Sequence, residues 1–336
     1  MHPARSPFLD RLATDGPIGF GASTLGNLYR RIDDESARAT VDAAWEEGLR
    51  YFDTAPFYGF GLSERRLGDA LRERPRDHYI LSTKVGRLLV PGEAADDKFG
   101  FHSPMPFDPV YDYSYDGVMR SVEASLQRLG LGRIDILYMH DLGRATHGKD
   151  HDRYFAQALA GGFRAMEELR DQGIVSAIGL GVNETEICAE SLLHADLDVL
   201  MIAGRYTLLN PGGSAFFEEC RRRGIGIVAA GVFNSGILAT GSRGTPHYDY
   251  ETAPEPIIRK VAAIEQCCAR YDVPLPAAAL QFVLAHPAVT TAVIGTGSAE
   301  RITQSVALAR HPIPAAFWDI LRERDLLAED HPVAST

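Results

Sequence analysis

Two hydrophobic rhythms alternate along the chain. Short runs rich in β-branched and aromatic residues are separated by stretches in which apolar residues return every three or four positions. Residues 18–22, the run from Tyr51 to Asp53, and residues 79–85, 134–140, 176–182, 198–203, 226–230 and 291–294 read as strands. Residues 33–48 place Ala37, Val41, Ala44 and Trp45 on one helical face, with acids at the start and Gly48 at the end. Further helices are expected over 63–72, 116–129, from Asp152 to Gln172, and over 184–194, 214–223, 254–270, 276–285, 298–309 and 314–327. Residues 1–17, spotted with Pro and Gly, should form a cap or hairpin ahead of the first strand.

Strands that alternate with helices imply a parallel sheet, because parallel neighbours need crossover connections. Eight such units in 336 residues favour a closed (β/α)8 TIM barrel of the α/β class, with an N-terminal cap and an extra C-terminal helix. An open doubly wound sheet is the alternative, but Gly19-Phe-Gly21-Ala-Ser-Thr24 lacks the third glycine of its phosphate turn. No linker or low-complexity tract divides the chain, so residues 1–336 read as a single domain. Residues 86–115 carry Pro91, Gly92, Pro104, Pro106 and Pro109 among aromatics and read as a long loop, the kind that serves as a lid. There Phe101, Phe107, Tyr111 and Tyr113 are equally suited to packing and to substrate contact. Phe57, Trp45 and Phe282 read as packing residues.

Composition narrows the function classes. A net charge of −11 argues against nucleic-acid partners and anionic membranes, whose phosphates need a basic face. The apolar region 277–295 is broken by Gln281, His286 and Pro287, so a helix plus a strand is expected there and not a membrane span. Cys188, Cys220, Cys267 and Cys268 lack metal-ligand spacing and read as buried thiols of a reducing compartment. With no apolar leader in the first residues, a cytoplasmic setting is expected. His140, His147 and His151 with Asp141, Asp150 and Asp152 also lack helical ligand spacing, so no metal site is expected. The run Arg221-Arg222-Arg223 suits the negative end of a helix dipole.

The candidate chemistry lies at strand ends. Asp53 closes the second strand, Tyr58 follows on its loop, Lys84 lies near the end of the third and His140 ends the fourth. Catalytic residues of barrel enzymes come from the C-terminal ends of several strands. A phenol of ordinary pKa, about 10, is a poor base at neutral pH, but an adjacent ammonium lowers it. Lys84 is the ammonium, Asp53 the group that keeps it charged, and His140 the donor or acceptor towards a substrate oxygen.

Asp53 and Tyr58 in Phe-Asp-Thr-Ala-Pro-Phe-Tyr-Gly, Lys84 in Ser-Thr-Lys-Val and His140 in Tyr-Met-His-Asp resemble the catalytic tetrad of the aldo-keto reductases. The resemblance extends over nearly the whole chain. It implies a nicotinamide cofactor, NAD or NADP, across the C-terminal mouth, hydride transfer at a carbonyl carbon, and Tyr58 as the general acid or base. It also implies cofactor contacts from Thr24, Leu25, Asp53 and Asn183, from Gly231, Phe233, Asn234, Gly236 and Leu238, and from Gly295, Thr296, Gly297 and Arg301. The family's Gln at the end of strand six is here Ala203, which leaves Arg205 and Tyr206 as its substitutes. Gly295 stands where many NADP-preferring relatives have Lys, and Gln304 where Glu is frequent, which tilts the balance towards NAD.

Ala-Gly-Arg-Tyr-Thr-Leu-Leu209 with Gly-Val-Phe-Asn-Ser-Gly236 is more similar to the aldose dehydrogenase and pyridoxal 4-dehydrogenase branch than to the sugar-aldehyde reductases. That implies oxidation of an aldose hemiacetal, of L-fucose or D-threo-aldose type, to its lactone, or of pyridoxal to 4-pyridoxolactone. The alternatives are an aldehyde or ketone reductase and a nicotinamide-binding regulatory subunit.

Overall fold

The computed structural model describes residues 6–16, 18–328 and 331–333. Eight strands, β1 (Gly19–Gly21), β2 (Tyr51–Asp53), β3 (Ile80–Val85), β4 (Ile136–His140), β5 (Ala177–Val182), β6 (Val199–Ala203), β7 (Gly226–Ala230) and β8 (Val289–Gly295), pair in parallel in chain order. β8 returns to β1, with Phe20 opposite Ile294, and the barrel is closed. The expected TIM barrel is therefore the fold.

Side chains alternate between the two faces of each strand, and this periodicity divides the core in two. Tyr51, Ile80, Ile136, Tyr138, Ala177, Val199, Met201, Val228 and Val293 make one inner cluster. Phe20, Phe52, Leu81, Leu137, Ile178, Leu200, Ile227 and Ile294 belong to the larger outer cluster, shared with the helices.

The N-terminal segment folds as a helix, Pro7–Thr14, and not as a hairpin. Residues 1–5 and 17 of the expected cap lie outside the described residues. Ser6 caps the helix by accepting a hydrogen bond from the Leu9 N–H at 3.3 Å, and Pro7 fits the first turn, where no N–H is needed. Leu9 and Leu12, one turn apart, join the inner cluster and plug the lower end of the barrel. A short segment with one apolar pair carries too little periodicity to separate helix from hairpin.

Residues 86–115 are also more ordered than a lid loop. Arg87–Pro91 pairs antiparallel with Phe107–Tyr111, and a smaller ribbon pairs Asp97–Lys98 with Phe101–His102. Pro109 sits opposite Leu89 in a two-stranded ribbon, where the missing N–H has open edge to face. The connection after β4 contains a helix, Arg144–His147, and the following helix passes through one wide turn at Ala158–Gly162. The helix expected over 184–194 is confined to Glu186–Ser191, and the terminal one to Ala315–Glu323.

Leu12 is 2 % exposed, so Leu12→Ala opens a cavity beneath the barrel. It is expected to lower stability by about 2–5 kcal/mol, read as a lower urea midpoint at unchanged slope.

Candidate active site

Strand parity explains why three separate residues meet. Tyr51 and Asp53 share one face of β2, Ser82 and Lys84 one face of β3, and Tyr138 and His140 one face of β4. The register sets Asp53 beside Ser82 and Lys84 beside Tyr138. Asp53, Lys84 and His140 thus form the top layer of the interior. Tyr51, Ser82 and Tyr138 lie directly below as a hydroxyl layer that sequence reasoning did not single out.

The Lys84 Nζ donates to Asp53 Oδ1 at 2.9 Å, to Asp53 Oδ2 at 2.7 Å and to the Thr54 carbonyl at 2.9 Å. Ser82 Oγ donates to Asp53 Oδ1 at 2.6 Å, while the Tyr51 hydroxyl lies 3.0 Å from Ser82 Oγ and 3.2 Å from the Tyr138 hydroxyl. Both Asp53 and Lys84 are 2 % exposed. Burial raises the Asp53 pKa, opposed by Lys84 and Ser82. Burial by itself would lower that of Lys84, but Asp53 and Tyr58 more than offset it and hold the ammonium charged.

Tyr58 reaches this pair from a pinned loop. Its N–H donates to the Ala55 carbonyl, and its carbonyl accepts from the Ser63 N–H, both at 3.1 Å. Ser63 Oγ in turn donates to the Ala22 carbonyl at 2.6 Å, tying the loop to the turn after β1. The two turns touch through Gly26 and Gly59. A Cβ on Gly26 would stand 2.5 Å from the Tyr58 carbonyl carbon, and one on Gly59 2.5 Å from the Gly26 oxygen, so only glycine permits the approach. The Lys84 Nζ sits 4.8 Å from the centre of the Tyr58 ring, and the His140 ring stands edge-on to it, with centroids 6.0 Å apart. Burial raises the Tyr58 pKa, and Lys84 only partly opposes it. The expected lowering of the phenol below its ordinary value is therefore not what the free protein shows: desolvation outweighs the ammonium.

His140 is held neutral. Burial, then Arg87 and Lys84, push its pKa well below the ordinary imidazole value. Its Nε2 lies 3.5 Å from Asp141 Oδ2, which also accepts a hydrogen bond from Arg87 Nη2. Behind it, the Tyr113 hydroxyl donates to the His140 carbonyl at 2.8 Å and lies 2.9 Å from His147 Nε2. Tyr113 is thus a packing and positioning residue, and Phe101 packs against Phe57 and Phe60. Arg87 and His147 had no marker in the sequence that pointed to this site, and Asp141 stood in it only as the residue after His140. Only the ribbon of residues 87–111 brings Arg87 back over the mouth.

Residues 17–325 match the aldo/keto reductase family. The chain belongs to this family. It is 44% identical over 325 residues to pyridoxal 4-dehydrogenase of Microbacterium luteolum, covering 93% of this chain and 94% of that protein. It is 41% identical over 317 residues to D-threo-aldose 1-dehydrogenase of Pseudomonas sp, covering 92% and 94%. Among solved structures, aldo-keto reductase AKR11C1 from Bacillus halodurans in its holo form superposes with a TM-score of 0.70 at 26% identity over 94% of each chain. The protein is accordingly an oxidoreductase, and the aldo-keto reductases work with a nicotinamide cofactor.

The rim of this aldo-keto reductase suits such a ligand. Thr24 Oγ1, Asn234 Oδ1 and His140 Nδ1 are buried without a hydrogen-bond partner among the described residues. Buried polar atoms are ordinarily satisfied, so these mark places for a polar ligand. Gly231, Asn234, Ser235 and Gly236 all have positive φ and turn the backbone after β7 across the mouth. Gly295, Thr296 and Gly297 lie at the end of β8, with Arg301 exposed on the helix that follows. Asn183 is half-buried just past β5, and Phe233 half-buried past β7.

Three of the expected contact residues have enclosed side chains. Leu25 and Leu238 are fully enclosed in the outer cluster. Tyr206, 2 % exposed, stacks on Phe282 with centroids 5.0 Å apart in the outer cluster. The chain turns at Gly204 beyond β6, where φ is positive. Arg205 stays half-buried at the rim, bonded to the Ala203 carbonyl at 3.3 Å and paired with Asp249 of the hairpin at 247–252. Sequence reasoning overlooked Arg30, whose Nη2 donates to the Gly297 carbonyl at 3.3 Å.

Burial, aided by Arg87 and His151, lowers the His147 pKa to about 4. Unfolded histidine titrates near 6.5, so between these values the unfolded chain binds more protons. The stability held by neutral His147 is complete above about pH 6.5 and is lost as pH falls towards 4. Chemical denaturation at stepped pH should show this slope, and His147→Gln should reduce it.

Proposed function

We propose that the protein oxidises the hemiacetal hydroxyl of an aldose, or of pyridoxal in its cyclic form, to the corresponding lactone with NAD or NADP. The observation that carries this reading is the enclosed Lys84–Asp53 pair beneath the Tyr58 ring, with neutral His140 edge-on beside it. The two dehydrogenases at 44% and 41% identity support the substrate class. Thr24, Asn183, the turn from Gly231 to Gly236 and the segment from Gly295 to Gly297 would hold the cofactor. Bound nicotinamide supplies the acceptor for the hydride that leaves the substrate carbon.

The chain's own residues move the proton. His140, neutral at pH 7, hydrogen-bonds the substrate oxygen through one ring nitrogen and orients it. Tyr58, as the phenolate that Lys84 stabilises, takes the hydroxyl proton as the C–O bond becomes a carbonyl and is left as the neutral phenol. Asp53 keeps Lys84 charged. The aromatic wall of Phe57, Phe60 and Phe101 limits water at the site.

A second reading, an aldehyde reductase, draws on the raised Tyr58 pKa, since a protonated phenol is ready to act as an acid at neutral pH. The two directions part by pH. Oxidation should quicken as pH rises towards the Tyr58 pKa, and reduction should hold steady through neutrality. Nicotinamide absorbance with NAD and NADP over aldoses, pyridoxal and simple aldehydes tests the proposal. Tyr58→Phe is expected to cost about 10²–10⁴-fold in kcat with cofactor affinity unchanged. Turnover of neither an aldose nor pyridoxal with either cofactor would remove the proposed activity.

We also propose NAD as the preferred cofactor, because Gly295 offers no side-chain charge to a 2′-phosphate. Arg301, on the helix after β8, and Arg30, bonded to the Gly297 carbonyl, are cations at that end. Replacing both with Ala should lower kcat/KM for NADP about 10-fold or more and leave that for NAD nearly unchanged. An equal loss with both cofactors would show that neither arginine meets the extra phosphate.

A further inference from the structure

The proton-transfer scheme leaves one charged pair at the mouth without a task. Arg87 and Asp141 have side chains only 6% and 15% exposed, and the carboxylate stands 3.5 Å from His140 Nε2. A buried ion pair is weak evidence of stabilisation, because desolvating both charges offsets most of their attraction. This pair also carries backbone strain, since Asp141 has a φ of +49° with a side chain present. Its position is nevertheless well fixed. The Asp141 N–H donates to the Gly181 carbonyl at 2.9 Å, and its own carbonyl accepts from the Tyr113 hydroxyl at 3.3 Å. The Arg87 guanidinium lies 4.0 Å over the Phe57 ring, and its Nε is buried without a hydrogen-bond partner among the described residues.

We propose that Asp141, held by Arg87, is a second substrate anchor: its carboxylate accepts a hydrogen bond from a hydroxyl on the carbon next to the reacting one. This deepens the substrate class proposed above and rests on that reading. His140 Nε2 and Asp141 Oδ2 are close enough to bind the oxygens of one vicinal pair, the ring nitrogen as donor to the reacting oxygen and the carboxylate as acceptor from its neighbour. Arg87 keeps the carboxylate charged and blocks its rotation away from the mouth. Donor beside acceptor is the pattern a sugar's adjacent hydroxyls require, and a simple aldehyde leaves the acceptor position on the Arg87-paired carboxylate unused in a dry site. The anchor therefore selects hydroxylated carbonyl and hemiacetal compounds over plain aldehydes.

Reduction of glyceraldehyde and of propanal, which differ at the hydroxyls beside and beyond the carbonyl, reads the anchor in either physiological direction. The wild type should favour glyceraldehyde by about 10–100-fold in kcat/KM, the range of a hydrogen bond to a charged acceptor. Oxidation of an aldose and of its 2-deoxy counterpart should show the same ratio for the hydroxyl next to the reacting carbon. Asp141→Ala should bring both ratios close to one by raising KM for the hydroxylated partner alone. Asp141→Asn, which keeps an acceptor oxygen, should restore part of each, and cofactor affinity should not change in either variant. A wild type with no preference, a preference that survives Asp141→Ala, or an equal loss on both partners overturns the anchor alone. Absence of turnover of every aldose, pyridoxal and aldehyde by the wild type overturns the redox reading and the anchor with it.

Discussion

An ammonium enclosed in the mouth of a barrel is tolerable only with a carboxylate against it, and that constraint organises this protein. Lys84 donates to the two Asp53 oxygens and the Thr54 carbonyl, while Ser82 satisfies the same carboxylate from below. Tyr51 and Tyr138 extend that network downward, where the apolar side chains of Ile80 and Ile136 continue the interior. The helix Pro7–Thr14 then seals the lower end. Polar above and apolar below, the interior directs its chemistry to one rim.

Burial has opposite effects on the groups around Lys84. It pushes the Tyr58 phenol up and the His140 imidazole down, so both rest in their neutral forms beside a charged lysine. Neutral donors near a fixed positive charge suit a reaction in which negative charge comes and goes on one oxygen. The outer ribbons contribute to this dryness. Phe101 from one ribbon and Arg87 from the other close over Phe57, and without them the site would be an open strand end.

The barrel was legible because parallel strands with intervening helices write two different periods into the chain. Asp53, Lys84 and His140 stood out as ionisable residues where apolar strands stop, and their parity with Tyr51, Ser82 and Tyr138 was already implicit in the spacing. The ribbons of residues 87–111 were not legible. Their proline-rich strands lack the alternation of a half-buried sheet, since each pairs with only one neighbour. The same holds for the helix Pro7–Thr14, whose single apolar pair gains meaning only against the barrel floor.

The sequence by itself determined the order of the elements, the face on which each strand residue would lie and the set of groups at the mouth, because those follow from local period and covalent spacing. Tertiary structure decided the sign of the Tyr58 shift, the turn of Tyr206 into the core, and the meeting of Arg87 with Asp141 across 54 positions of chain. The reason is that desolvation and ion pairing depend on which distant segments close over a group, and no local pattern records that.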